Sequence, residues 1–170
     1  MRIDPKYFNH FMVVLAVTGV ITIALASLYY VGKQEQRFLG RLDNSDPSGF
    51  RFVSLQGDTL ALAPDRNVVL LFWATWSDRS VEELDDLYSW HAEHPEYEVI
   101  AAFVKDAGEF AEEHARPGRP GFHIADGTGV YQDLRVPGVP TAIIFGSDHR
   151  VTHTQAGSGS RPAWREMDSR

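Results

Sequence analysis

Two serine hydroxyls stand three residues apart in the segment Trp76-Ser77-Asp78-Arg79-Ser80, and Glu83 follows three residues later. A serine is a poor nucleophile unless a neighbouring base takes its proton. No Gly-x-Ser-x-Gly elbow is present to hold either serine as a hydrolase nucleophile. Ser77 instead suits a helix N-cap, for which serine is among the preferred residues. Ser80-Val81-Glu82-Glu83 has the pattern of a capping box, and Glu83 there caps and solvates a helix start. The chain contains no cysteine. Disulfide exchange needs a thiolate and a sulfur leaving group, so that reaction is closed to this polypeptide.

Seven histidines raise the question of a metal. His91 and His94 have one-turn spacing, and His149 and His153 flank a turn. Neither a His-Glu-x-x-His pattern nor a cysteine ligand accompanies them. They read as buried or solvated histidines, and neither a metal nor a cofactor is expected. The net charge of −7 argues against nucleic acid as a partner. A length of 170 residues with 44% apolar content suits one folded domain with a real core.

The elements that must position the serines follow from periodicity. Short strands are expected at 50–55 and 59–62, then a continuous apolar strand at 68–73, of the kind buried on both faces of a sheet. A helix over 78–94 places Val81, Leu84, Leu87, Tyr88 and His91 on one face, and Pro95 ends it. A second buried strand at 99–104 makes a βαβ unit with parallel pairing. A helix at 107–115, a loop at 116–121 and a short helix or turn at 128–134 come next. Strands at 141–145 and 151–154 are joined by Gly146-Ser147-Asp148-His149, a hairpin signal.

Residues 11–31 form an uncharged run long enough to cross a bilayer as a helix, with Tyr29 and Tyr30 at one end and Phe8 and Phe11 at the other. Ala24-Leu25-Ala26 offers the rival reading of a signal-peptide cleavage site. The apolar run continues past it to Val31, which favours an anchor in the lipid bilayer. Arg2 and Lys6 precede the run, while Lys33, Arg37 and Arg41 follow it, so charge alone leaves the orientation open. The resulting division is an N-terminal flank (1–10), a transmembrane helix (11–31), a polar linker (32–49), a domain (50–155) and a polar, mobile tail (156–170). Trp164 is the one large apolar residue that stands out in that tail, and it is a candidate for docking on a partner.

Four stretches resemble the thioredoxin superfamily, and within it the membrane-anchored thiol-disulfide reductases of the TlpA and ResA type. They are Phe72-Trp73-Ala74-Thr75-Trp76 leading into a helix, Glu83-Leu84, Val136-Pro137-Gly138-Val139-Pro140-Thr141 ahead of a strand, and the Asp148-His149-Arg150-Val151 hairpin. The resemblance covers roughly residues 50–155. It implies an α/β fold with a thioredoxin-like central mixed sheet flanked by helices, here preceded by one N-terminal transmembrane helix. It also implies that Ser77 and Ser80 occupy the positions of the two active-site cysteines and that the Val139–Pro140 bond is cis. Glu83 would correspond to a glutamate that tunes those cysteines. Trp76, Val139, Pro140 and Thr141 would form a surface for an extended peptide, a mode that needs no sulfur. The outer, periplasmic side of the inner (cytoplasmic) membrane is the location so implied.

The functional expectation is a redox-inactive, membrane-anchored protein that is not an enzyme. It would serve as a structural or accessory subunit of a larger integral membrane complex, respiratory or photosynthetic in kind. One alternative is a thiol-disulfide reductase for cytochrome c maturation or envelope proteins, with serine placed at both cysteine positions by engineering. A second is a thiol-independent peptide-binding chaperone or adaptor acting near Pro140.

Overall fold

The computed structural model describes residues 5–116, 119–157 and 162–169. The chain divides into two compact units between Arg37 and Phe38. Helix α1 comprises Pro5–Asp43. Its apolar run of 21 residues is about 31 Å long at 1.5 Å per residue, against about 30 Å for a bilayer's hydrocarbon core. The side chains described along the run are exposed. Thr18 Oγ1 donates to the Val14 carbonyl and Thr22 Oγ1 to the Thr18 carbonyl, both at 2.8 Å. Both hydroxyls thus find backbone partners one turn back in the same helix.

The polar linker expected at 32–49 is helical as far as Asp43. Lys, Gln, Glu, Arg and Leu dominate this stretch and are good helix formers. Phe38 and Leu42, four residues apart, are fully buried in the domain's core. The loop signal at 44–49 does end the helix. Asn44 Nδ2 donates to the Gly40 carbonyl and Ser45 Oγ to the Leu42 carbonyl. Asp46 then caps a 3-10 turn, Pro47–Gly49.

Seven strands make one mixed sheet in the order β2-β1-β5-β4-β3-β6-β7. They are β1 Phe52–Ser54, β2 Thr59–Leu60, β3 Val68–Trp73, β4 Glu98–Phe103, β5 Phe122–Asp126, β6 Thr141–Phe145 and β7 Val151–Ala156. The helices after α1 are α2 Asp78–Glu93, α3 Gly108–Glu113 and α4 Thr128–Leu134. β3, β4 and β5 run parallel, whereas β6 pairs antiparallel with β3. Every residue of β3 is buried. Because strand side chains alternate, Val68, Leu70 and Phe72 face a core containing Phe38, Leu42, Val130 and Leu134. Val69, Leu71 and Trp73 face a second core containing Leu84, Leu87, Trp90 and Trp164. Strand β5 escapes the sequence pattern, since His123 and Asp126 interrupt a short run that only β4 and β1 complete. Gly127 seats α4 close to the sheet: a Cβ there would lie 2.6 Å from the Ala102 Cβ.

The tail differs most from expectation. Ser158 to Ser160, part of the stretch taken as mobile, lie outside the described residues. Beyond them, Ala163–Ser169 is a 3-10 segment packed on the domain's own second core, with Trp164 fully buried. Its Nε1 donates to Asp86 Oδ2 at 2.9 Å, and Arg165 grips the same carboxylate through Nε and Nη2, the shorter contact being 2.7 Å. The lone tail tryptophan therefore fills this chain's own core. Burial alone would raise the Asp86 carboxyl, but the hydrogen bonds from Arg165 and Trp164 outweigh it and hold the group below its ordinary 3.8.

Trp164→Ala is expected to destabilise the domain by about 3–5 kcal/mol, as truncations of fully buried aromatics do. Thermal denaturation of the full chain in detergent checks this. Asp86 has a lowered folded pKa, so its contribution is complete above 3.8 and lost as the pH falls through the folded value. Asp86→Asn should therefore lower the melting temperature at pH 7, and its deficit against the parent should shrink in acid.

Candidate functional site

The strand β3 delivers Ala74, Thr75, Trp76 and Ser77 to one end of the sheet, where α2 begins. Register then fixes the neighbour: Phe72 of β3 pairs with Thr141 of β6, so Val139 and Pro140 lie at this same end. The Val139–Pro140 bond is cis. The turn is clasped from the other side by Asp106, just after β4. Its Oδ2 accepts from the Thr75 N–H at 2.9 Å and from Thr75 Oγ1 at 2.5 Å. Asp106 was not singled out from sequence, and its signal there is slight: an aspartate three residues past a buried strand.

Ser77 is the N-cap of α2. Its backbone is extended (φ −115°, ψ 101°), and its Oγ accepts from the Ser80 N–H at 3.3 Å. Ser80 is the third residue inside the helix, not a cap, so the expected Ser80–Glu83 capping box does not form. The reason is register. The helix starts one turn earlier than that box requires, with Ser77 outside it and Ser80 on the face turned to the sheet. Ser80 is 0% exposed, and its Oγ has no hydrogen-bond partner among the described residues.

Glu83, expected to be solvated, is 3% exposed. Arg79 Nε lies 3.3 Å from Glu83 Oε1, and Arg79 also reaches Glu82. Burial raises the Glu83 carboxyl above its ordinary 4.5. The Arg79 charge pulls the other way, while Asp86 and Glu82 add to the rise. Trp76, by contrast, is 63% exposed at the mouth of the turn. On the facing strand, Thr141 is buried, with Oγ1 donating to the Gly138 carbonyl at 2.8 Å. The Pro140 carbonyl accepts from the Gly157 N–H at 2.9 Å, so that acceptor is already engaged. Val139 packs against the first core. Trp76 is the named residue that most plainly offers surface to a partner.

The histidines do not gather. His91 Nε2 lies 3.1 Å from the Tyr97 carbonyl, His94 Nδ1 3.0 Å from the Trp90 carbonyl and His149 Nε2 3.0 Å from the Ala63 carbonyl. His153 lies 3.3 Å from Glu166. Among the described residues no three His, Asp or Glu side chains converge as metal ligands do. Burial pushes the His91 imidazole below its ordinary 6.5, against the opposing pull of its Tyr97 bond.

The sheet order, the cis proline beside an α2 start and the flanking helices define a thioredoxin-like fold. Solved structures with this fold agree. One is MTB dsbF, with TM-score 0.61 at 20% identity over 72% of this chain and 92% of that one. Another is a secreted Mycobacterium tuberculosis disulfide oxidoreductase homologous to E. coli DsbE, with TM-score 0.60 at 16% identity over 76% and 95%. StoA from Bacillus subtilis gives 0.57 at 14% identity over 73% and 96%. At these identities the likeness establishes the fold. No family model matches the chain, and no curated protein matches it.

Serine replacement at the two positions has separable consequences. Ser77→Ala is expected to cost about 1 kcal/mol, the usual loss for a removed N-cap. Ser80→Ala should cost nothing or stabilise slightly, because it removes a buried hydroxyl without a partner. Chemical denaturation of the two variants distinguishes these outcomes. Glu83 has a raised folded pKa, so its contribution is complete below 4.5 and lost as the pH rises through the folded value. Glu83→Gln should therefore melt higher than the parent at pH 8, with the gain disappearing below pH 4.5.

Proposed function

We propose that this chain is a redox-inactive, membrane-anchored thioredoxin-like protein, not an enzyme, that serves as an accessory subunit of a larger membrane protein complex. One observation carries the reading. In a chain with no cysteine, a thioredoxin-like α2 start carries two serine hydroxyls that are spent structurally, Ser77 as a cap and Ser80 as a buried side chain. A retained geometry without its chemistry is expected where surfaces and attachment are what the protein contributes. Helix α1, long and apolar enough to cross a bilayer, supplies the attachment. The reading places the helix in the inner membrane and the domain on its periplasmic side. The secreted character of the Mycobacterium tuberculosis fold-mate supports an extracytoplasmic domain.

A second reading rests on Trp76. An aromatic side chain 63% exposed beside the Val139–Pro140 loop suits contact with an extended segment of another protein. The chain would then be a thiol-independent peptide-binding adaptor or chaperone. Photocrosslinking from position 76 separates the two: an accessory subunit yields one fixed partner, and an adaptor yields many clients.

The direct test is size in the native membrane. After mild solubilisation, native electrophoresis should place the protein in a discrete band well above the 19.1 kDa of the chain. A strictly monomeric band would contradict the subunit reading.

A further inference from the structure

Two arginines and a histidine meet at the opposite end of the sheet. Arg66 precedes β3, Arg119 precedes β5, and His91 lies on the last turn of α2's buried face. Register puts these together, because Val68 pairs with Glu98 and Val99 with Phe122, so β3, β4 and β5 all begin here. Arg66, His91 and Arg119 line one cavity of about 360 Å³ with Ala92, Pro95 and Gly121. Among the described residues no carboxylate lines it, although the chain as a whole carries a net −7.

The arginines are held in place. Arg119 Nη1 donates to the carbonyl of Tyr88, a buried residue of α2, at 2.5 Å. The Tyr88 hydroxyl accepts from the Arg116 N–H at 3.1 Å, and the Tyr88 ring stacks on Phe122 with centroids 4.0 Å apart. The Arg116 guanidinium lies 4.8 Å from the centre of that ring. Arg119 also lines a second cavity of about 200 Å³, shared with Arg116 and His123. Acids also lie near the cavity, Glu96 close enough to act on His91. Glu98 lies 3.7 Å from Arg66 and 3.6 Å from His123, while Asp85 pairs with Arg116. Arg119 has no carboxylate partner among the described residues. His91 is 1% exposed. Its Nε2 faces the Tyr97 carbonyl, and its Nδ1 has no hydrogen-bond partner among the described residues.

We propose that this cavity binds a phosphate-class oxyanion, as inorganic phosphate or a small phosphate monoester, with Arg119 and Arg66 as the recognising groups. A guanidinium presents a planar fork of donors that matches phosphate oxygens two at a time. Two such cations on one cavity favour a dianion over a singly charged carboxylate. Only one N–H of Arg119 is committed to Tyr88, and that bond fixes the fork's direction, which lowers the cost of ordering it on binding. The Arg66–Glu98 contact is long, at 3.7 Å, and Glu98 also faces His123, so a bound anion competes with Glu98 for the Arg66 guanidinium.

The test is calorimetric titration of the full chain in phosphatidylcholine nanodiscs with inorganic phosphate and, separately, glycerol 3-phosphate. One saturable site is expected. Tighter binding of glycerol 3-phosphate identifies a monoester as the occupant, and tighter binding of the inorganic ion identifies the free anion. Arg119→Gln and Arg66→Gln should each weaken binding by about tenfold, as loss of one charge-assisted contact does. Arg51→Gln, outside the cavity, should leave it unchanged. Melting curves of the variants confirm that the fold is kept. Absence of saturable binding up to about 10 mM, or an affinity that Arg119→Gln leaves unchanged in a folded protein, would overturn the proposal.

Discussion

Strand β3 is buried on both faces, and the rest of the domain is fastened to it. All six of its residues pair with β4 on one edge and five of them, Val68 to Phe72, with β6 on the other, and their side chains feed two separate cores. A strand so enclosed cannot slip by one residue without turning each core's side chains to the wrong face. That rigidity sets where the chain leaves the sheet after Trp73, and hence where α2 starts. It also sets the level of Thr141, and so of the cis Val139–Pro140 bond beside the α2 start. Register thus places the site, and the Asp106–Thr75 and Ser77–Ser80 hydrogen bonds fix its local geometry.

The site holds no sulfur, and hydroxyl oxygens stand at its helix start. A helix start leaves backbone N–H groups without partners, and a serine oxygen at the N-cap satisfies one of them, as Ser77 does. The second serine behaves otherwise. Inside the first turn and turned to the sheet, Ser80 is a small buried residue whose hydroxyl gains nothing visible. The neighbouring carboxylate of Glu83 is likewise enclosed, held by Arg79 in a setting that disfavours its charge. Buried, imperfectly compensated polar groups concentrate at functional sites in proteins that use them. Here they sit beneath a helix start with no thiol for them to serve.

The sheet strands were legible in proportion to their burial. Val68–Trp73 and Thr141–Phe145 read as continuous apolar runs, and both are observed with those bounds. The helix after Ser77 was legible from its apolar spacing and its terminal proline. β5 was not, because a five-residue strand containing His123 and Asp126 carries little signal until a neighbour supplies its hydrogen bonds. Periodicity within residues 32–43 was overshadowed by their polarity, although Phe38 and Leu42 at i, i+4 are what dock that part of α1 on the core. The tail's role depended on Asp86, 78 residues away in sequence from its partner Trp164, a distance that local pattern does not bridge. At the site, the residue types were readable, but their assignments were not. Whether Ser77 or Ser80 caps the helix turns on a single turn of register, and Glu83's burial depends on what α2 packs against.

The central claim is that the α2 start of this thioredoxin-like fold has a geometry that would support thiol exchange and lacks the sulfur for it. The most direct measurement is dithiothreitol-driven insulin reduction by the parent and by a Ser77→Cys/Ser80→Cys variant. The parent should add nothing to the uncatalysed rate. The variant should form a 77–80 disulfide and accelerate the reaction, since a thiol at a helix N-terminus has its thiolate stabilised. Acceleration by the parent, or a folded variant that neither forms the disulfide nor reduces insulin, would contradict the account.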